Sequence, residues 1–129
     1  MIAKQILVID DQPLIRDLLG RFLQADGYRV ITAVDGREGL AKARVLLPDL
    51  ILLDVDIPVL NGFEVCAALK DEPATAPMPV VFISARLSIH DRGRMAAVGA
   101  AGFLAKPFSL AQLRGVVGSL LGLAASAQP

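Results

Sequence analysis

Apolar residues in this chain alternate between unbroken blocks and a three-to-four-residue period. Ile6-Leu7-Val8-Ile9, Leu50-Ile51-Leu52-Leu53, Val80-Val81-Phe82-Ile83 and Phe103-Leu104-Ala105 are continuous blocks. Short blocks of this kind, rich in branched residues, fit strands covered on both faces. Between the blocks the period changes. Leu14, Ile15, Leu18, Leu19, Phe22 and Leu23 fall on one face of a helix. Read this way, the chain predicts strands over 5–9, 28–33, 50–54, 80–84 and 102–105, and helices over 13–26, 36–47, 62–71, 89–98 and 110–122.

The punctuation agrees. Pro13 suits the first turn of a helix, where its missing N–H is not needed, and Gly27 suits its end. Asp35 is a candidate N-cap, Pro48 a terminator, and Ser109-Leu110-Ala111-Gln112 fits a capping box. Glu72 to Pro79 reads as a Pro-rich loop. Continuous apolar strands alternating with helices favour a parallel sheet with helices on both faces, so the simplest fold is one doubly wound α/β domain of five βα units. The last helix is unusual: Gly115 to Ala127 carries no charge, and Gly115, Gly118 and Gly122 interrupt it. Each glycine in a helix interior costs about 1 kcal/mol relative to Ala, so packing must hold this helix.

Each apolar block ends in a polar group: Asp10-Asp11, Asp54, Ser84 and Lys106-Pro107. In an open parallel sheet these C-terminal ends lie along one edge, where such folds bind ligands. Three carboxylates, a hydroxyl and an ammonium then converge. Asp54 is a candidate nucleophile, since a carboxylate can carry a phosphoryl group as an acyl phosphate. Clustered carboxylates call for a dication, and an all-oxygen donor set points to Mg²⁺. Asp10 or Asp11 could equally cap the helix that follows, and Ser84 could close a turn. Lys106 offers a point charge to phosphate. A cis Lys106–Pro107 bond would aim its ammonium back at the pocket.

Composition narrows the function. With 129 residues the chain is long enough for one domain with a real core and too short for two. It is 54% hydrophobic, and 13 basic residues balance 13 acidic ones for zero formal charge, so nothing in the balance argues for a nucleic-acid surface. The single cysteine, Cys66, sits among apolar helix neighbours and reads as packing. The single histidine, His90, lies in a polar stretch and reads as surface. One His and one Cys exclude zinc sites and Cys–His or Ser–His–Asp catalysis. There is no Walker or dinucleotide glycine loop. No signal peptide pattern opens the chain and no apolar run reaches about 18 residues, so a cytoplasmic protein is expected.

From about Lys4 to Leu121 the ordered set of motifs resembles the receiver domain of two-component response regulators, the CheY-like family. The resemblance rests on Asp10-Asp11, Asp54-Val55-Asp56-Ile57-Pro58 through Asn61-Gly62, Ser84-Ala85, and Gly102-Phe103-Leu104-Ala105-Lys106-Pro107-Phe108. It implies a flavodoxin-like five-stranded sheet in the order 2-1-3-4-5, with a receiver domain over 1–123 and a short tail over 124–129. It implies phosphorylation of Asp54 from a histidine kinase or phosphotransfer protein. Mg²⁺ would be held by Asp11, Asp54 and the Asp56 backbone carbonyl with Asp10 assisting, and the phosphoryl group by Ser84 and Lys106. Phe103 resembles the switch aromatic, although its pattern alone also fits an ordinary core Phe.

Two positions depart from the usual pattern. Ile57 stands where Met is frequent, and Ser84 where Thr is commoner. Ser lacks the methyl that stiffens χ1, which would loosen coupling to Phe103. Asp56 and Arg86 are expected to flank the site and set access to it. The surface of helix four, strand five and helix five, with Arg92, Arg94 and Arg114, is the expected face for homodimerisation or partner docking. Helix one near Arg16 and Gly20 is the expected kinase face. The domain is expected to be no enzyme and to bind neither nucleic acid nor membrane itself. Two rival readings are a haloacid-dehalogenase-like phosphatase using Asp54 and Asp56, and an unphosphorylated receiver-like scaffold.

Overall fold

The structure is a computed structural model that describes residues 3–85 and 88–122, with Ile89 described by its backbone only. The elements are β1 Gln5–Ile9, α1 Pro13–Ala25, β2 Arg29–Ala33, α2 Gly36–Leu46, β3 Leu50–Asp54, α3 Gly62–Asp71, β4 Val80–Ser84, α4 Ile89–Ala97, β5 Gly102–Ala105 and α5 Leu110–Leu121. The strands form one sheet in the order β2-β1-β3-β4-β5 with every pairing parallel. This is the expected topology. The proposed boundary at residue 123 and the tail after it lie outside the described residues, as does Arg86.

Both faces of the sheet are covered, which is why the central strands carry no polar alternation. On one face Ile6, Val8, Leu50, Leu52, Val81 and Ile83 pack with Leu19 and Leu23 of α1 and Leu113 and Val117 of α5. On the other, Leu7, Ile9, Ile51, Leu53, Val80 and Phe82 pack with side chains of α2, α3 and α4. Phe63 and Phe82 meet there with ring centroids 5.3 Å apart. β5 is an edge strand, and it departs from full burial: Leu104 is buried, whereas Phe103 and Ala105 are exposed.

Helix ends follow their local chemistry. The Asp35 side chain accepts the Glu38 N–H, and Ser109 and Gln112 form the expected capping box. A second capping box joins Asn61 and Glu64 at the start of α3. Leu47, at φ 46°, closes α2 just before Pro48. The glycines of α5 are carried within the helix expected over 110–122. Gly115 and Gly118 sit inside an unbroken helix, and a Cβ at either would meet nothing within 4 Å. Gly122 lies past its end at φ 76°. The buried stripe of Leu113 and Val117 supplies the packing that compensates for weak propensity.

The segment between β3 and α3 is tightly fixed. The Pro58 carbonyl accepts both the Gly36 N–H at 3.2 Å and the Leu60 N–H at 2.9 Å. The second bond closes a three-residue turn around Val59, whose φ of 73° is a costly conformation for a β-branched residue. Gly36 is pressed so close that a Cβ would lie 2.1 Å from the Leu60 carbonyl oxygen. Farther along, the 72–79 loop is pinned by Lys70, whose ammonium donates to the carbonyls of Ala76 and Met78, and by the buried Thr75 hydroxyl donating to Leu69.

Candidate functional site

Parallel pairing places the polar strand ends in register. Asp54 lies beside Ile83, and Ser84 beside Ala105. The ladder continues one step beyond the strands: the Val55 N–H donates to the Ile83 carbonyl and the Lys106 N–H to the Ser84 carbonyl. Asp10, directly after β1, donates its N–H to Ala33. The five chemical groups expected from the sequence therefore come from four neighbouring strands at the same sheet edge.

Carboxylate oxygens of Asp10, Asp11 and Asp54 all lie within 4.8 Å of one another. Asp10 is fully buried and Asp54 is 5% exposed, while Asp11 faces solvent. The Lys106 ammonium donates to Asp10 Oδ2 at 3.0 Å and to Asp54 Oδ2 at 3.2 Å. Here the Lys106–Pro107 peptide is cis. The other oxygens of the two carboxylates are also used. Asp10 Oδ1 accepts the Gln12 N–H, and Asp54 Oδ1 accepts the Asp56 N–H at 3.1 Å. Asp10 thus fixes the turn ahead of α1 while facing the cluster; Gln12, not Asp10 or Asp11, occupies the N-cap position and no side-chain capping bond forms there, so the expected cap is not made.

Burial, then the nearby charge of Asp10, raises the pKa of Asp54; the Asp56 N–H and the Lys106 ammonium lower it, and the net shift is upward. Burial works against the Lys106 cation, but Asp10 and Asp54 outweigh it and its pKa is raised as well. Negative charge enters both shifts, second to burial for Asp54 and as the winning influence for Lys106. Three carboxylates face one ammonium, and that excess is the electrostatic setting a dication matches.

Ser84 is 1% exposed at the end of β4. Phe103 is 40% exposed, which rules out the ordinary core reading of this residue. His90 is exposed and Cys66 fully buried, as their settings in the sequence suggested. Burial pushes the Cys66 thiol up to about 11, so it is inert packing.

Contacts between distant elements add residues that the sequence did not single out for the site. Gln12 Oε1 accepts from the Lys106 ammonium at 3.3 Å. Arg16, expected on the helix-one surface, donates from Nη1 to the Asp10 carbonyl at 2.8 Å and steadies the β1–α1 turn. Gly62 approaches the phosphoacceptor candidate so closely that a Cβ would lie 2.5 Å from the Asp54 carbonyl oxygen. Two of the arginines expected on the α4–β5–α5 surface are exposed there and also contact other elements. Arg114 pairs with Asp26 at the end of α1, and Arg94 stacks over Phe63 of α3 at 4.0 Å. Only Arg92 of the three faces β5, lying 4.9 Å from the Phe103 ring centroid.

Comparison with known proteins agrees with this architecture. The response regulator receiver domain family matches residues 6–118. The chain is 42% identical over 117 residues to the DNA-binding dual master transcriptional regulator RpaA of Synechocystis, covering 91% of this chain and 48% of that protein. It thus spans about half the length of this curated relative. Among solved structures, chemotaxis protein CheY4 of Vibrio cholerae superposes with a TM-score of 0.89 at 36% identity, covering 93% of this chain and 100% of that one. The receiver domain of sensor histidine kinase PA1611 from Pseudomonas aeruginosa, with magnesium coordinated in its active-site cleft, superposes with a TM-score of 0.87 at 27% identity, covering 94% and 99%. Among the described residues no helix is long and apolar enough to cross a membrane. With its 2-1-3-4-5 sheet and the acidic edge built on it, this chain belongs to the receiver domain family of two-component response regulators.

Proposed function

We propose that the chain is a phosphoacceptor switch in a histidine-kinase phosphorelay, with Asp54 as acceptor. The observation that carries this reading is the Lys106 ammonium bridging Asp10 and Asp54 in the cluster that also holds Asp11. An oxygen of Asp54 forms a bond to phosphorus while the bond from phosphorus to the donor's histidine nitrogen breaks. The departing imidazole keeps that electron pair and takes a proton from water. Lys106 lies where it can leave the carboxylate for a phosphoryl oxygen, and the Asp56 N–H holds the other Asp54 oxygen in place. The buried Ser84 at the next strand end donates its hydroxyl to the phosphoryl group.

The donor set fits Mg²⁺: Asp10, Asp11 and Asp54 with the Asp56 carbonyl would hold it. When bound, the ion neutralises the carboxylates and the incoming phosphoryl charge. The related PA1611 receiver, with magnesium in the same kind of cleft, supports the assignment. Added phosphate oxygens then favour the conformer in which Ser84 and Lys106 close on them and Phe103 turns inward. The α4–β5–α5 surface passes this on to a second copy, a partner or an attached output domain. The receiver itself, taken as residues 1–123 with a tail over 124–129, works in the cytoplasm and needs neither nucleic acid nor membrane. The kinase or phosphotransfer protein approaches over α1, where Leu14 is 75% exposed beside the acidic edge.

The deciding experiment is intact mass after incubation with acetyl phosphate and Mg²⁺. A single phosphoryl adduct is expected, absent from Asp54→Asn and absent without metal. An adduct that survives Asp54→Asn would overturn the assignment. Steady release of phosphate from generic phosphomonoesters would instead indicate the phosphatase reading.

A further inference from the structure

α4 is held to the domain in an unusual way. Met95 is its one buried side chain among those described. Two guanidinium groups reach from α4 to aromatic rings on neighbouring elements. Arg94 stands over Phe63, and Arg92 over Phe103. The two rings differ. Phe63 is 5% exposed and locked against Phe82 in the core. Phe103 is the register neighbour of fully buried Phe82 on the same side of the sheet, yet it remains 40% exposed. A phenyl ring left open to water next to an apolar core is held against its own hydrophobic preference. A guanidinium over its face supplies the opposing attraction, because it is planar, weakly hydrated and stacks on aromatic rings within about 6 Å.

We propose that Arg92 is a latch that holds Phe103 outward and so sets how readily this ring turns in. Arg94 anchors α4 to a ring fixed in the core, whereas Arg92 anchors it to a ring that stands 40% exposed. Phe103 lies two residues before Ala105, the register partner of Ser84, so its position is coupled to the strand end nearest the acidic site. The consequence for switching rests on the phosphoacceptor reading above; the latch itself does not.

The test uses the full chain carrying 4-fluorophenylalanine, with the Phe103 resonance assigned through Phe103→Leu. Fluorine spectra are recorded without Mg²⁺ or phosphoryl donor, and a soluble paramagnetic agent reports which signal is solvent-exposed. Arg92→Ala should raise the inward-to-outward ratio about two- to five-fold, the strength of an exposed cation–π contact. Arg92→Lys keeps the cation and should give a smaller rise, and Arg94→Ala should leave the ratio unchanged. An unchanged ratio in Arg92→Ala, or an equal rise in Arg94→Ala, overturns the latch. Acetyl phosphate and Mg²⁺ are then added. Faster phosphoryl uptake by Arg92→Ala, by a factor similar to the ratio change, supports both ideas. A shifted ratio with no adduct in any variant keeps the latch and removes the phosphoacceptor reading. An Asp54-dependent adduct with an unshifted ratio does the reverse.

Discussion

α3 and α4 cover the same face of the sheet, on either side of β4, yet they are built by different means. α3 sinks Phe63, Val65, Cys66 and Leu69 into the core, begins with a capping box, and presses Gly62 onto the backbone of Asp54. α4 contributes Met95 and two surface arginine stacks, with Ser88 capping its start. Opening free energies within a protein range from near zero to the global value, according to such differences in buried apolar contact. The acid half of the site thus rests on a rigid support, and the half facing β5 on one that shifts at small cost. The switch proposed above would need both: fixed groups to receive the phosphoryl, and a loosely held element to report it.

Truncation on the rigid side should have the largest effect. Leu69→Ala removes a fully buried side chain and should cost about 2–5 kcal/mol in urea unfolding; a loss under 1 kcal/mol would mean that α3 is no better anchored than α4. Native-state hydrogen exchange should next show α4 amides opening a few kcal/mol more easily than those of α3. Equal protection would erase the contrast. Two glycines then oppose each other. Gly62→Ala drives a methyl into the Asp54 carbonyl and should destabilise by about 1–3 kcal/mol. Gly93→Ala on α4 meets nothing within 4 Å and should stabilise by about 0.5–1 kcal/mol in the same assay.

The smallest effect concerns Asp54. Its pKa is raised chiefly by burial and by Asp10, so the folded protein holds that proton more tightly than the unfolded chain does. Ionised Asp54 therefore opposes folding at neutral pH, and the opposition fades as the pH falls through its folded pKa and then below the ordinary carboxylate value. In Mg²⁺-free buffer Asp54→Asn should melt slightly higher than the parent at pH 7, and the gap should close on acidification. A gap independent of pH would assign it to something other than charge.

Local rules carried the sequence reading far. Continuous apolar blocks located four of the five strands, β2 followed from its place between two helices, and the caps at Asp35 and Ser109 formed as their side chains required. The Asn61–Glu64 box is equally local, an Asn-x-x-Glu pattern ahead of an apolar helix. The acidic edge was legible because parallel strands deliver their ends to one place. What stayed hidden joins distant segments. Gln12 meets Lys106 across 94 positions, and Arg114 meets Asp26 across 88. Packing, not pattern, sets such pairs. Arg92 and Arg94 stand two residues apart, about 200° around the helix, and reach rings on different neighbouring elements.

The Pro58 carbonyl, shared between the amides of Gly36 and Leu60, has a consequence for anyone grafting foreign sequence onto this scaffold. The connection over 56–61 acts as a spacer of fixed length. Lengthening it by one residue forces a choice between the α2 contact and the tight turn, and either loss moves the backbone next to Asp54. Side-chain exchange at Val59, which is 61% exposed, leaves both intact. Diversity at that rim is therefore available through composition and closed to insertion.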